Sequence, residues 1–262
     1  MRVYAVSGSA SGIGKATVEQ LQSEGHRVIT LDIHHADISA DLSKPEGVSL
    51  AVAGIAEQLD GPLDGLVTCA GLGGKPDRSG STLTDLNYFG TVDLIEGLFE
   101  HFGDHGASIV AISSNSVTIQ PGYSLAITEA LLEGDRQKAA ALADAAGSLE
   151  TYPASKLAIA RWVRRNAVQE RFTTRGIRIN AIAPGMVETA MVAELRADEI
   201  VGPMMGSLPI PLGRAGKASE IAALISLVLS ERGGYFLGSV ILVDGGTEAL
   251  LRADDWPQRW TF

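Results

Sequence analysis

Short β-branched runs, apolar at consecutive positions, alternate along the chain with longer stretches whose apolar residues recur at helical spacing. Consecutive apolar positions suit strands covered on both faces, because a strand with one wet face would alternate instead. The pattern predicts strands at Val3–Ser7, Val28–Asp32, Gly65–Ala70, Ser108–Ser113, Ile177–Ala183 and Val240–Val243. Between them it predicts helices at Ile13–Glu24, Pro45–Leu59, Thr84–Phe102, Tyr152–Thr173 and Ser219–Leu229. Such alternation argues for the α/β class, a Rossmann-type doubly wound parallel sheet with helices on both faces. No repeat, low-complexity tract or linker marks a second domain, so residues 1–262 read as a single domain.

Two segments break the alternation, and both follow strands at whose carboxyl ends such sheets bind ligands. Residues 119–150 carry Ala- and Leu-rich helical patterns, AITEALLEG and DRQKAAALADAAG, with Gly134 as a break, and read as a helical insertion ahead of the Tyr152 helix. Residues 188–214 are rich in Met, Pro and Gly, which suits a mobile apolar flap over a substrate.

Composition narrows the partners. With 45% hydrophobic and 20% charged residues the chain suits a folded domain with a sizeable core. A formal charge of −10 leaves no basic footprint for nucleic acid or an anionic lipid surface. No apolar stretch reaches the ~20 residues that span a bilayer, and the apolar run after Arg2 breaks at once into Gly and Ser, unlike a signal peptide. The single cysteine, Cys69, cannot form an internal disulfide and suits a reducing compartment, so a cytoplasmic protein is expected.

The first candidate chemistry is Gly8-Ser9-Ala10-Ser11-Gly12-Ile13-Gly14, after a strand and opening a helix. Glycines there permit a tight turn and close backbone approach, so that a pyrophosphate can sit on unpaired N–H groups at the helix N-terminus. Asp32 ends the next strand 18 residues beyond Gly14, where a carboxylate can take the adenosine ribose hydroxyls, and no basic residue follows it directly to accept a 2′-phosphate. The second is Tyr152-Pro153-Ala154-Ser155-Lys156, whose i,i+4 spacing puts phenol and ammonium on one helix face. Pro153 is expected in the first turn, where no N–H bond is lost. A Ser-rich strand end, Ser113-Ser114-Asn115-Ser116, offers three candidate hydroxyls.

His34 and His35 lack a carboxylate or histidine cluster at ligand spacing and read as a solvated loop, so no metal is assigned; His101 and His105 read as surface residues flanking a turn. Cys69 ends an apolar strand without a neighbouring base and reads as inert packing.

On these motifs the sequence resembles the short-chain dehydrogenase/reductase family over nearly its whole length. The resemblance assigns Gly8, Ser11, Gly12, Ile13 and Gly14 to the cofactor turn, Asp41 and Leu42 to the adenine side, Ala70 and Gly71 to the ribose, and Pro184, Gly185, Val187 and Thr189 to the nicotinamide. It makes Ser114, Tyr152 and Lys156 catalytic, counts Tyr152 and Lys156 also among the cofactor-binding residues with Lys156 on the ribose, and has Asn87 of LNYFG positioning a water that relays protons to Lys156. Of the three serines, Ser114 is chosen on this alignment alone. The segments LDIHHADISADLS, DGLVTCAGLG and LNYFG, with the 38-residue interval from Ser114 to Tyr152, are similar to the branch of hydroxysteroid dehydrogenases and carbonyl reductases, which also includes coniferyl-type alcohol dehydrogenases. Thr68-Cys69 departs from the family's usual pair of asparagines before Ala-Gly, removing amides but no group that does chemistry.

The resemblance implies an NAD-dependent oxidoreductase that interconverts a secondary alcohol and a ketone on a hydroxysteroid or similar bulky hydrophobic substrate. Tyr152 would be the acid/base, its pKa drawn down by the Lys156 cation and the positive nicotinamide. An aromatic alcohol of the coniferyl type is the alternative substrate. A catalytically silent dinucleotide sensor is the alternative of another class, against which the retention of Asn87, Ser114, Tyr152 and Lys156 argues. The insertion should cover the face of the Thr84–Phe102 and Tyr152–Thr173 helices through which the wider family commonly associates. That leaves the Ser219–Leu229 helix and the last strand for a homodimer, with a homotetramer as the other assembly considered.

Overall fold

The computed structural model describes residues 1–104 and 106–255, so His105 lies outside the described residues. In chain order the elements are β1 (Val3–Ser7), α1 (Gly12–Ser23), β2 (Arg27–Asp32), β3 (Ile38–Ser39), α2 (Pro45–Glu57), β4 (Gly65–Thr68), α3 (Gly80–Leu83), a π-helical turn (Thr84–Phe89), α4 (Gly90–Gly97), a 3-10 turn (Phe99–His101) and β5 (Ser108–Ile112). After β5 come α5 (Ser116–Ile119), α6 (Leu125–Leu132), α7 (Arg136–Ala146), α8 (Ser148–Asn166), α9 (Glu170–Thr173), β6 (Arg178–Pro184), β7 (Val187–Glu188), α10 (Ala190–Ala197) and α11 (Val201–Gly206). The chain continues through β8 (Gly216–Lys217), α12 (Ala218–Leu229), β9 (Val240–Val243) and α13 (Thr247–Leu251).

The six expected strands form, joined by the two-residue β3, into one parallel sheet in the order β3-β2-β1-β4-β5-β6-β9. The strand order reverses between β1 and β4, where the connections leave in opposite directions and open a crevice at the carboxyl ends. One face of the sheet packs Ile29, Leu31 and Ile109 against Ile55 of α2, Leu94 of α4 and Val163 of α8. The other packs Val6, Val67 and Val110 against Leu21 of α1 and Ile225 of α12. Burying each such aliphatic side chain contributes roughly 1.5–3 kcal/mol, and these two layers hold the sheet edges that carry the site. The paired β7 and β8 form a separate two-stranded sheet.

The segment 119–150 does fold into helices, α6 and α7, broken at Gly134, which adopts φ +76°. Asp135 accepts the Lys138 N–H at 3.0 Å and so caps α7. Ile127, Leu131, Ala139 and Ala143 are fully buried on the α8 side of the sheet. Arg136 joins the insertion to the π turn and α4, with ion pairs of 2.7 Å to Asp85 and to Asp93 and its guanidinium 4.0 Å above the Phe89 ring.

Four expectations need correction. The Thr84–Phe102 stretch is not one regular helix: a π turn precedes α4, and Leu98 at ψ 0° ends it. The Tyr152 helix begins earlier, at Ser148, because Gly147 at φ +82° redirects the chain there, and it stops at Asn166 before the separate α9. Pro153 therefore lies inside α8 rather than in its first turn. His101, expected at the surface, is half-buried, and its carbonyl accepts the Leu63 N–H at 2.8 Å.

Candidate active site

At the β1–α1 turn, main chain rests on main chain. Gly8 has φ +67°, and a Cβ there would lie 2.6 Å from the Ala70 nitrogen at the end of β4. A Cβ on Gly14 would overlap the Gly8 carbonyl oxygen. Ser11, the N-cap of α1, makes no side-chain cap bond, which leaves first-turn N–H groups free to receive an anion. Asp32 stands at the end of β2 with its carboxylate fixed by the Ala10 N–H at 3.0 Å and the Ile33 N–H at 2.7 Å.

A cleft of about 1250 Å³, counting its open mouth, runs from Asp32 past Gly12 and Gly71 to Tyr152. Every residue expected to hold the dinucleotide lines it except Asp41. Asp41 lies between two lining residues, Ala40 and Leu42, but its carboxylate accepts the Ser43 hydroxyl at 2.6 Å and pairs with Lys44 at 3.2 Å. These contacts hold its carboxyl below the usual range, the Ser43 hydroxyl bond foremost.

The opposite wall is built from β5 and α8. Ser113 Oγ donates to the Lys156 carbonyl at 2.9 Å and so ties α8 to the end of β5. Ser114 Oγ accepts the Ser116 N–H at 3.1 Å, and Ser114 and Tyr152 both line the cleft. The third serine, Ser116, has its buried Oγ without a hydrogen-bond partner. The three hydroxyls therefore differ: Ser113 is spent on the Lys156 carbonyl, Ser116 does not line the cleft, and Ser114 lines it together with Tyr152. One helical turn beyond Tyr152, Lys156 Nζ donates to the Ile112 carbonyl at 2.9 Å.

Burial pushes the Tyr152 phenol above its ordinary pKa, against the lowering by the Ser114 hydrogen bond. Burial also lowers the Lys156 ammonium to about 8, with the neighbouring Cys69 thiol opposing. The expected pull of Lys156 on the phenol is therefore not the governing influence here: Lys156 is itself desolvated and directed to Ile112. Cys69, pushed up to about 12 by burial, is held as the thiol.

Asn87 is fully buried in the π turn and does not line the cleft. Its Oδ1 accepts the Leu72 N–H at 2.8 Å, and its Nδ2 donates to the Leu72 carbonyl at 3.0 Å. Both ends of the side chain thus hold the Gly71-Leu72 wall. His34 and His35 are exposed, and among the described residues no three His, Cys, Asp or Glu side chains group at a metal-holding distance.

Leu72 and Leu86 also line the cleft and escaped the sequence reading, whereas Met191 and Val192 line it from within the 188–214 segment expected over the substrate. Leu72 follows Ala70-Gly71 directly and could have been found by extending that motif. Residues 188–214 fold into α10 and α11, with Thr189 capping α10 through the Val192 N–H at 3.2 Å. This segment meets the loop after β4 where Arg78 pairs with Glu194 at 3.1 Å and Leu195 packs on Gly73. Among the described residues, no helix is long and apolar enough to cross a membrane.

Comparison with known proteins gives consistent results. A family model described as enoyl-(acyl carrier protein) reductase matches residues 8–141 and 137–248. The chain is 33% identical over 256 residues to a 3-alpha-hydroxysteroid dehydrogenase/carbonyl reductase of Comamonas testosteroni, covering 96% of this chain and 98% of that protein. It is 30% identical to a coniferyl-alcohol dehydrogenase of Pseudomonas sp., over 92% of this chain and 94% of that one. The crystal structure of a 3-alpha-hydroxysteroid dehydrogenase from Pseudomonas sp. B-0831 complexed with NADH superposes with a TM-score of 0.91 at 40% identity, covering 97% of this chain and all of the other. With its parallel sheet, glycine turn and Ser114–Tyr152–Lys156 group, the chain belongs to the short-chain dehydrogenase/reductase family of oxidoreductases.

Proposed function

We propose that this protein interconverts a secondary alcohol and a ketone on a bulky hydrophobic substrate of the hydroxysteroid type, using NAD(H). The observation that carries this reading is the convergence of Ser114, Tyr152 and Lys156 on one cleft that also presents Asp32. The cleft fits a dinucleotide: Gly8 and Gly14 leave a cradle that a Cβ would fill, and the adjoining first turn of α1 offers N–H groups to a pyrophosphate. Asp32 suits ribose hydroxyls and opposes a 2′-phosphate, which favours NAD(H) over NADP(H). When bound, the nicotinamide supplies the hydride acceptor or donor.

The chain's own residues manage the proton and the orientation. Ser114 Oγ accepts from the Ser116 N–H, so its own hydroxyl acts as a donor, favouring the ionised phenol and able to hold a substrate oxygen placed beside Tyr152. Tyr152 Oη takes the alcohol proton in oxidation and returns it in reduction. Its raised pKa keeps it protonated at neutral pH, the form needed for reduction. A cationic nicotinamide and a protonated Lys156 both favour phenolate, the form needed for oxidation. Leu72, Leu86, Met191 and Val192 give the cleft an apolar lining that suits a ring system.

A panel of steroid, terpenoid and aryl alcohols, followed by NADH absorbance, tests the reading. Turnover is expected with cyclic secondary alcohols. Turnover confined to coniferyl-type primary alcohols would move the assignment to that branch, and NADH binding without turnover anywhere would point to a sensor.

We further infer a homodimer. The insertion covers α8 and the π turn, whereas the half-buried β9 and the exposed Tyr235 and Leu237 leave apolar surface at the other edge. Light scattering at several concentrations tests this, and a monomer throughout would contradict it. The unpaired cysteine supports a cytoplasmic setting.

A further inference from the structure

Pro153 has no N–H, so the carbonyl four residues earlier in α8, that of Leu149, loses its helical donor one turn ahead of Tyr152. The missing donor is replaced from outside the helix: Gln120 Nε2 donates to the Leu149 carbonyl at 3.0 Å. Gln120 stands at the end of α5, and its own N–H bonds the Ser116 carbonyl at 3.2 Å. The Ser116 N–H in turn holds Ser114 Oγ at 3.1 Å. The contacts run as a chain from Ser114 through Ser116 and Gln120 to Leu149, one helical turn ahead of Tyr152, and so tie the Ser114 hydroxyl to the helix that carries the phenol.

We propose that Gln120 is a positioning residue that substitutes for the N–H Pro153 lacks and so sets the separation of the Ser114 hydroxyl and the Tyr152 phenol. It touches neither substrate nor cofactor, and acts only through the main chain of α5 and α8. The inference rests on the reading of Ser114 and Tyr152 as the reacting pair. Its particular feature is conditional necessity: Gln120 matters only while residue 153 is proline.

A double-mutant cycle tests this. Gln120→Leu should lower kcat between about three- and tenfold, the effect of one hydrogen bond, while the NADH Kd, read by fluorescence, stays within about twofold of wild type because Gln120 does not line the cleft. Pro153→Ala restores the backbone donor and should stay near wild type. In the double variant kcat should return to within about twofold of Pro153→Ala alone, and the melting temperature should recover in parallel. Equal losses from Gln120→Leu in both backgrounds, or no loss in the proline background, would overturn the proposal. If Gln120→Leu fails to fold alone, Gln120→Met takes its place, and recovery in the alanine background remains the required outcome. Tyr152→Phe is run alongside: if it retains turnover, the reading of the site fails and the proposal with it, whereas an inactive Tyr152→Phe with no coupling between 120 and 153 sinks the proposal alone.

Discussion

On the β1–α1 side of the cleft, Gly8 and Gly14 bring main chain against main chain with no room for a Cβ at either. On the β5–α8 side, side chains reach across to carbonyls: Ser113 to Lys156 and Gln120 to Leu149. The first arrangement is intolerant, because added volume must displace backbone. The second is adjustable, since each tether is one hydrogen bond with a net contribution of about 0.5–1.5 kcal/mol. Substitutions on the dinucleotide wall should therefore remove binding and stability together, whereas those on the catalytic wall should alter chemistry while binding survives.

The harshest test of that contrast is Gly8→Ala, which adds a Cβ against the Ala70 nitrogen at a φ of +67°. We expect a loss of roughly 2–4 kcal/mol, a melting temperature lower by about 4–16 °C, and no detectable NADH binding by fluorescence titration. Retained binding would show that the wall can yield. Asp32→Ala leaves the turn intact and removes one carboxylate, so the preference for NAD over NADP in kcat/KM should narrow by about tenfold. An unchanged ratio would remove Asp32 from cofactor choice.

Lys156 sharpens the contrast through pH. Its folded pKa, about 8, lies below the ordinary 10.5, so above pH 8 the folded chain releases a proton that the unfolded chain keeps. Stability should therefore rise with pH from about 8 toward 9, below the ordinary thiol pKa of 9.0 beyond which Cys69, raised to about 12, works in the opposite direction. Melting curves at pH 7 and pH 9 should show this gain in wild type and its loss in Lys156→Met; equal gains in both would contradict the linkage. The smallest effect belongs to residues 188–214. Glu194 is nearly half exposed in its pair with Arg78, and such pairs contribute about 0–1 kcal/mol, so Glu194→Ala should raise substrate KM by less than about fivefold with kcat unchanged.

The same contrast explains what the sequence disclosed. Gly8, Gly14 and Asp32 were legible because main-chain proximity admits one residue type and a strand-end carboxylate has a regular spacing. The Tyr152-Lys156 spacing was legible for a similar reason, through helical periodicity. Gln120 was not, because its partner is a carbonyl 29 residues away whose need for a donor arises only once Pro153 falls inside a helix. The true start of α8 escaped because Gly147 at φ +82°, and not a capping side chain, sets it. The π turn escaped as well: Asn87 and its neighbours carry helical periodicity that does not distinguish α from π. The two-residue strands β3, β7 and β8 are too short to leave a pattern.

The central claim is that cofactor binding and proton transfer reside on separate walls of one cleft, and Tyr152→Phe tests it most directly because it deletes the phenolic oxygen and keeps the ring. NADH titration and steady-state turnover are measured on the same preparation, with an active cyclic alcohol as substrate. The account predicts an NADH Kd within about threefold of wild type and a kcat lower by a factor of about 10² or more. Turnover near wild type would remove Tyr152 from the chemistry, and loss of NADH binding along with turnover would contradict the separation of the two walls.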